Sequence, residues 1–131
     1  MIGLDTNVLV RYITQDDIKQ SPKATRLMES LSVDSPGFVS TVTIVELVWV
    51  LVACYSLSRN NIFKVLETLL RTKEIVVEKA ETIWKVTRGF KNNNADFADC
   101  LIEQLARDAG CSHTVTFDLG ASKNCGMKLI N

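Results

Sequence analysis

The sequence predicts an α/β fold built around a parallel sheet, on three observations. Short apolar runs that suit buried strands alternate with segments of helical period along the chain. Polar, turn-forming stretches separate these segments, among them residues 34–37 and 91–94. With 131 residues, of which 47% are hydrophobic, the chain suits one compact domain, which we expect to span residues 1–131.

The first 72 residues predict two strands and four helices. The apolar run at 2–4 predicts strand one, followed by helices over residues 6–13 and 21–31, with Pro22 suited to the first turn of the second helix. The turn at 34–37 then leads into strand two at residues 38–39. An apolar helix from about 43 to 55 and an amphipathic helix within 58–72 are expected to form a helical hairpin.

The remaining segments continue the alternation. Residues 74–78 predict a strand, residues 80–90 a helix that ends near Gly89, and residues 95–110 a further helix that ends at Gly110. Residues 113–117 and 127–130 predict the last two strands.

Charge and cysteine content exclude several classes of protein. Fifteen basic and fifteen acidic side chains cancel, so no global positive field attracts nucleic acid, and such binding must be local or use metal ions. The four cysteines lack CxxC spacing, and His113 is the only histidine, so we expect reduced, mostly buried thiols of a cytoplasmic protein. The apolar stretch 38–55 is better divided into a strand and a helix than taken as a membrane span, because Glu46 lies at its centre.

Four acidic residues are expected at one edge of the sheet. In parallel sheets the ligand crevice lies outside the carboxyl ends of the strands. Asp5 and Asp118 each follow a predicted strand directly, and we place Glu46 and Asp99 in the first turns of helices that open toward the same edge. The four carboxylates are therefore expected to converge.

Each of these acids also has a purely structural explanation. Asp5 can cap the following helix by accepting from a backbone amide two or three residues on. Thr43 and Glu46 match a capping box, and Asp99 can interact favourably with a helix dipole. Asp118 can be the first residue of a turn through residues 119–120.

The set of acids points to a metal ion more strongly than any single member does. Glu46 is the only charged residue in 38–55 and Asp5 the only one in the first ten, so we expect both carboxylates in apolar surroundings. Clustered carboxylates repel, which raises their pKa values and costs stability unless a divalent cation neutralises them. Mg²⁺ or Mn²⁺ is the natural partner of an all-oxygen site.

The segments around these acids resemble a known family. The stretches "IGLDTNVLVRYI", "FVSTVTIVELVWVL", "ADFADCLIEQLARDAGC" and "VTFD", in this order and spacing, resemble the PIN domain, and more closely the VapC-type ribonuclease toxins of toxin–antitoxin pairs. The resemblance covers essentially the whole chain. It implies a three-layer α/β/α fold with a five-stranded parallel sheet, and an active site of four acids that carry over to Asp5, Glu46, Asp99 and Asp118.

The resemblance also implies supporting residues. Thr6, Asn7 and Thr116 would be hydrogen-bonding neighbours of the acids, although Thr116 can equally be an ordinary strand residue. Asp96 is assigned to the N-cap or to a supporting role, with direct participation in the metal site left open. We expect His113 to be structural rather than catalytic.

The resemblance implies a metal-dependent endoribonuclease that leaves 5′-phosphate and 3′-hydroxyl ends on structured RNA such as transfer or ribosomal RNA. One or two bound ions would lower the pKa of a water and stabilise charge on the scissile phosphate. Single-stranded or looped RNA is favoured because the A-form major groove excludes side chains. Arg11, Arg88, Lys91 and Lys123 are candidate RNA-binding cations, although each can be an ordinary surface charge.

A second class of partner is a protein. The resemblance implies a VapB-like antitoxin and a homodimer of the toxin. The helical hairpin is expected either to be partly exposed for such a partner or to be all core, at Leu47, Val50, Leu51, Ile62 and Leu66.

Three other functions are compatible with parts of the sequence. A phosphotransfer enzyme of the haloacid dehalogenase type needs a second aspartate two residues after Asp5, where this chain has Asn7. A receiver-type signalling domain needs an acidic pair before its phosphoacceptor strand and a lysine after a late strand, and "VTFD" has no lysine in the right place. The serious competitor is a catalytically silent PIN-like module that binds RNA or protein, although a pure scaffold has no need to keep four repelling acids.

Overall fold

A computed structural model describes all 131 residues, which fall into two units, Met1–Ala80 (the N-terminal unit) and Glu81–Asn131 (the C-terminal unit). Each unit has its own parallel sheet, three strands in the first and two in the second. The α/β class with parallel strands is therefore confirmed. The expected single five-stranded sheet is not what the structure shows.

The sheet of the N-terminal unit has the order β1-β2-β3, formed by Ile2–Gly3, Gly37–Val39 and Ile75–Val77. The central strand β2 is tightly packed at Gly37, where an added Cβ would lie 2.7 Å from a methyl carbon of Leu4. A side chain at this position would have to displace its neighbours, so the glycine allows the close approach of the chain segments.

Four helices complete the N-terminal unit: α1 (Thr6–Thr14), α2 (Gln20–Ser30), α3 (Thr41–Ala53) and α4 (Arg59–Arg71). All four match predicted helices, and α3 and α4 pack against each other as expected. Helix α3 begins two residues earlier than predicted because Ser40 caps it, its Oγ accepting from the Thr43 amide at 3.1 Å.

The helical hairpin is mostly core. Leu47, Leu51 and Ile62 are fully buried, Leu66 is 1% exposed, and only Val50 is half-buried. Of the two alternatives left open for these residues, the core alternative is therefore confirmed for all but Val50, because their side of the hairpin packs inward. The exposed apolar side chains of α3 lie elsewhere, at Val42, Trp49 and Val52.

The C-terminal unit contains α6 (Phe97–Asp108), α7 (Leu119–Cys125) and the paired strands β4 (Val115–Thr116) and β5 (Lys128–Leu129), with α5 (Ala80–Lys91) beginning at the boundary. The strands are shorter than predicted. Helix α7 was not predicted, because residues 119–125 are short and polar and lack an apolar period.

Two expectations from composition have structural outcomes. None of the helices combines the length and apolarity that crossing a bilayer requires. None of the four cysteines forms a disulfide bond. Cys54 and Cys111 are exposed and Cys100 and Cys125 only half-buried, so the expectation of mostly buried thiols is wrong.

Candidate active site

Asp5 begins the acidic site of the N-terminal unit. It is the N-cap of α1, and its Oδ1 accepts from the Thr6 amide at 2.8 Å. The capping role is therefore confirmed, with a donor one residue on rather than two or three. The residue is exposed, so the expected apolar surroundings of its carboxylate are wrong.

Thr6 joins Asp5 to the second acid of this unit. Its hydroxyl donates to Glu46 Oε1 at 2.9 Å while its amide donates to Asp5, and the threonine itself is buried. One buried side chain thus orients a carboxylate 40 residues away in sequence. The sequence prediction of Thr6 as a hydrogen-bonding neighbour of the acids agrees with these contacts.

Glu46 does not form the expected capping box. Ser40 is the N-cap of α3, so Glu46 lies in the second turn of the helix and not in the first. Its carboxylate accepts from Thr6 rather than reaching back to the start of its own helix. Like Asp5, Glu46 is exposed.

The acid that accepts a hydrogen bond from the first residue of α3 is Glu78. The sequence did not predict it as a site residue. Glu78 directly follows β3, and its Oε1 accepts from the Thr41 amide at 2.9 Å. The hydrogen bond from the Thr41 amide holds the pKa of Glu78 below its usual value. Its position after a strand, the same signal that identified Asp5 and Asp118, could have indicated it.

In the C-terminal unit, Asp96 and Asp99 lie at the start of α6. Asp96 is the N-cap and accepts from the Asp99 amide at 3.0 Å, which confirms the capping alternative for Asp96. Burial raises the pKa of Asp99, and repulsion by Asp96 and Asp118 raises it further. Asp96 and Asp118 therefore lie close enough to Asp99 to repel its charge.

Asp118 caps α7 rather than opening a simple turn. Its Oδ1 accepts from the Ala121 amide at 3.0 Å, and its own amide donates to Thr116 Oγ1 at 3.0 Å. Thr116 therefore acts as more than an ordinary strand residue, because its hydroxyl holds the backbone at Asp118. Asn7 is exposed on α1 and has no such contact with an acid.

The candidate cations differ in their surroundings. Arg11 is half-buried and forms an ion pair with Asp16 at 3.2 Å. Arg88 is exposed, and its guanidinium carbon lies 5.4 Å from the centre of the Trp84 ring on the same helix. Lys91 and Lys123 are exposed near the ends of α5 and α7.

His113 is exposed and precedes β4, with Nδ1 3.0 Å from the Ser112 hydroxyl. It is therefore not a buried strand residue, because the strand begins two residues later than predicted.

The donor chemistry of these acids suits a hard divalent cation, because carboxylate oxygens are the ligands that Mg²⁺ and Mn²⁺ prefer. Burial is the main cause of the raised pKa of Asp99, and the charges of Asp96 and Asp118 add to it; a cation would offset these charges. No group of three or more His, Cys, Asp or Glu side chains is arranged to hold a metal ion. Convergence of all four predicted acids stays a prediction.

Comparison with known proteins adds two findings. A family model described as the PIN domain matches residues 2–126. The chain is also similar to a protein named VapC ribonuclease from Aquifex aeolicus (strain VF5), with 28% identity over 128 residues that cover 98% of this chain and 94% of that relative.

Proposed function

The chain belongs to the PIN-domain family, and from this premise we propose that it is a metal-dependent endoribonuclease, the toxin of a type II toxin–antitoxin pair. The similarity to a VapC ribonuclease over nearly the whole length of both chains supports this proposal. The structural observation that carries it is the nearness of Asp96 and Asp118 to Asp99: their charges add to burial in raising the pKa of Asp99, and a divalent cation would offset them. We propose a single PIN domain over residues 1–131.

Four acids carry the reaction in this proposal, with Mg²⁺ or Mn²⁺ as the cofactor. Asp5, Glu46, Asp99 and Asp118 would hold the metal and are the proposed catalytic residues. A bound ion supplies a water of lowered pKa and stabilises charge on the scissile phosphate.

The remaining site residues are positioning residues. Thr6 holds the Glu46 carboxylate through its hydroxyl. Thr116 holds the backbone of Asp118, and Asp96 caps the helix turn that carries Asp99. Asn7 has no observed contact with the acids, so its role rests on the family resemblance alone.

The proposed substrate is structured RNA, such as transfer or ribosomal RNA, cut to leave 5′-phosphate and 3′-hydroxyl ends. Single-stranded loops suit side-chain recognition better than regular duplex. Exposed cations of the C-terminal unit, Arg88, Lys91 and Lys123, would contact phosphates. Arg11 is expected to contribute least, because its charge is already paired with Asp16.

The proposed protein partners are a VapB-like antitoxin and a second copy of the chain. Exposed apolar side chains of α3 support this part of the proposal. Val42 and Trp49 lie two turns apart on one face of the helix, and Val52 extends this apolar face. These side chains, rather than the buried Leu47 and Leu51, form the exposed apolar surface of the helix.

The test is cleavage of total cellular RNA by the purified protein with Mg²⁺ or Mn²⁺. We expect discrete fragments from the parent and from Asp34→Asn, a control at an exposed loop acid. Asp5→Asn and parent protein in EDTA should give none, because each loses the metal centre. End-mapping would identify the target and the products.

The alternative function is a catalytically silent PIN-like module that binds RNA or protein. The lack of a preformed group of three metal-binding side chains favours this alternative. Folded protein, free of a bound inhibitor, that cuts no RNA under any metal condition would reject the ribonuclease and support the binding module.

A further inference from the structure

Two cysteines of the C-terminal unit lie unusually close together. Cys100 lies near the start of α6 and Cys125 is the last residue of α7. Their sulfur atoms are 2.9 Å apart, although no disulfide bond joins them. A disulfide bond is about 2.05 Å long. A small side-chain movement would therefore bring the two atoms to bonding distance.

The pair also faces a space that a small reagent can enter. A cavity of about 180 Å³ is lined by both cysteines together with polar side chains that include Asn93, Glu103 and Asn124. Such a cavity can hold a few molecules of the size of water, whose share of liquid volume is about 30 Å³. Hydrogen peroxide is a polar molecule of similar size.

We propose that Cys100 and Cys125 are a redox-active thiol pair that a peroxide converts into a reversible disulfide. One of the two sulfurs attacks one peroxide oxygen, the O–O bond breaks, and that cysteine becomes a sulfenic acid as the first water leaves. The other sulfur then displaces the sulfenic oxygen, which leaves as a second water while the S–S bond forms. Both thiols lose their protons to these waters, two electrons pass to the peroxide, and the equation balances.

Either sulfur can take the first step, because both cysteines line the same cavity. Cys54 and Cys111 are exposed and have no cysteine neighbour, so they serve as internal controls.

The test uses the full chain, oxidised with hydrogen peroxide, alkylated at the remaining thiols and digested with trypsin without reduction. Trypsin can cut at Arg107 and Lys123, both of which lie between the two cysteines in sequence. We expect a cross-linked pair of peptides that contain Cys100 and Cys125, two mass units lighter than the reduced sum. Two of the four thiols should disappear and return with dithiothreitol.

Thermal unfolding provides an independent readout. The disulfide closes a loop between α6 and α7, so the oxidised parent should melt at least about 5 °C higher than the reduced parent. A variant carrying Cys54→Ser and Cys111→Ser should keep this shift, and Cys125→Ser should lose it. Recovery of Cys100 and Cys125 as separately alkylated or separately over-oxidised residues in folded parent protein would overturn the proposal, whatever the behaviour of the variants.

A consequence for catalysis rests on the proposed function. The disulfide would link the helix that carries Asp99 to the helix that Asp118 caps. Oxidation should therefore change the rate of RNA cleavage at least about threefold in the parent. The cleavage rate of Cys125→Ser should not change on oxidation. The mass measurement needs no RNA cleavage. Failure of the thiol pair and failure of the ribonuclease proposal are therefore distinguishable.

Discussion

At the scale of single residues, the site depends on polar side chains that hold carboxylates in place. Thr6 is the clearest case, because one buried residue donates from its amide to Asp5 and from its hydroxyl to Glu46. Hydrogen bonds to these carboxylates contribute at most about 1.5 kcal/mol each to stability, because both acids are exposed to solvent. Their larger effect is on orientation, since a misplaced metal ligand weakens the whole site.

Replacing Thr6 by valine tests this positioning role. Thr6→Val removes the hydroxyl but keeps the shape and the amide, so we expect about tenfold slower RNA cleavage with a loss of at most about 1.5 kcal/mol in unfolding free energy. Thr6→Ser keeps the hydroxyl and should retain most of the activity. Equal cleavage rates for the valine and serine variants would show that the Glu46 contact is unimportant.

Neutralising Asp99 tests the electrostatics of the acidic group. Because the pKa of Asp99 is raised, the folded protein disfavours its ionised form despite the favourable helix dipole. This loss of stability is present above the raised pKa and disappears as the pH falls through it. Without metal, Asp99→Asn should therefore raise the melting temperature by roughly 1–3 °C at pH 7. The rise should shrink toward pH 4.

The control for Asp99→Asn is Asp34→Asn, in the exposed turn before β2, for which no rise is expected. Melting curves from pH 4 to pH 8 provide the measurement. A lower melting temperature for Asp99→Asn at pH 7 would mean that the helix dipole outweighs burial and repulsion.

At the scale of elements, three acids begin helices: Asp5 for α1, Asp96 for α6 and Asp118 for α7. An N-cap side chain accepts from an amide that has no partner within the helix, which contributes about 1 kcal/mol. The structural and metal-binding roles are therefore compatible, because each capping bond uses one oxygen, Oδ1 in all three residues. A substitution can separate the two roles by keeping the cap and removing the charge.

Asp96 is the residue where this separation is most informative. Asp96→Asn keeps a capping oxygen, so unfolding in urea should be close to that of the parent, whereas Asp96→Ala should lose about 0.5–2 kcal/mol. If Asp96 only caps α6, the asparagine variant should cleave RNA at the parent rate. A large loss of cleavage in Asp96→Asn with unchanged stability would place its charge in the metal site.

Asp118→Ser makes the same separation at α7. Serine is also a good N-cap, so the helix should persist with a stability change within about 1 kcal/mol. RNA cleavage should nevertheless fall at least about 100-fold, because serine offers no carboxylate to a metal ion. Retained cleavage would remove Asp118 from the proposed catalytic residues.

At the scale of the whole molecule, the proposed function needs acids from both units. Asp5 and Glu46 belong to Met1–Ala80, and Asp99 and Asp118 to Glu81–Asn131. Residues that act as one catalytic group are strongly non-additive when they are removed together. Kinetics of combined variants therefore test joint action directly.

We expect the double variant Asp5→Asn, Asp99→Asn to be no less active than the worse of the two single variants. Residual cleavage of RNA under single-turnover conditions measures this, with circular dichroism to show that each variant is folded. Losses that multiply would mean that the two acids act independently.

The sequence by itself determined the α/β class, the parallel strands and the positions of six of the seven helices. Apolar runs and helical periods carry this information locally, so Thr6–Thr14 and Arg59–Arg71 were predicted to within about a residue. The family was also readable from the motifs around Asp5, Glu46, Asp99 and Asp118, and the family model confirms it.

Only the tertiary structure decided how these residues are used. The Thr6 contact with Glu46 spans 40 residues, and the proximity of Cys100 to Cys125 spans 25, so neither appears in any local pattern. Helix α7 is short and lacks an apolar period, so the sequence did not predict it. Exposure depends in the same way on which face packs inward, so the apolar surface of α3 lies at Trp49 rather than at the buried Leu47.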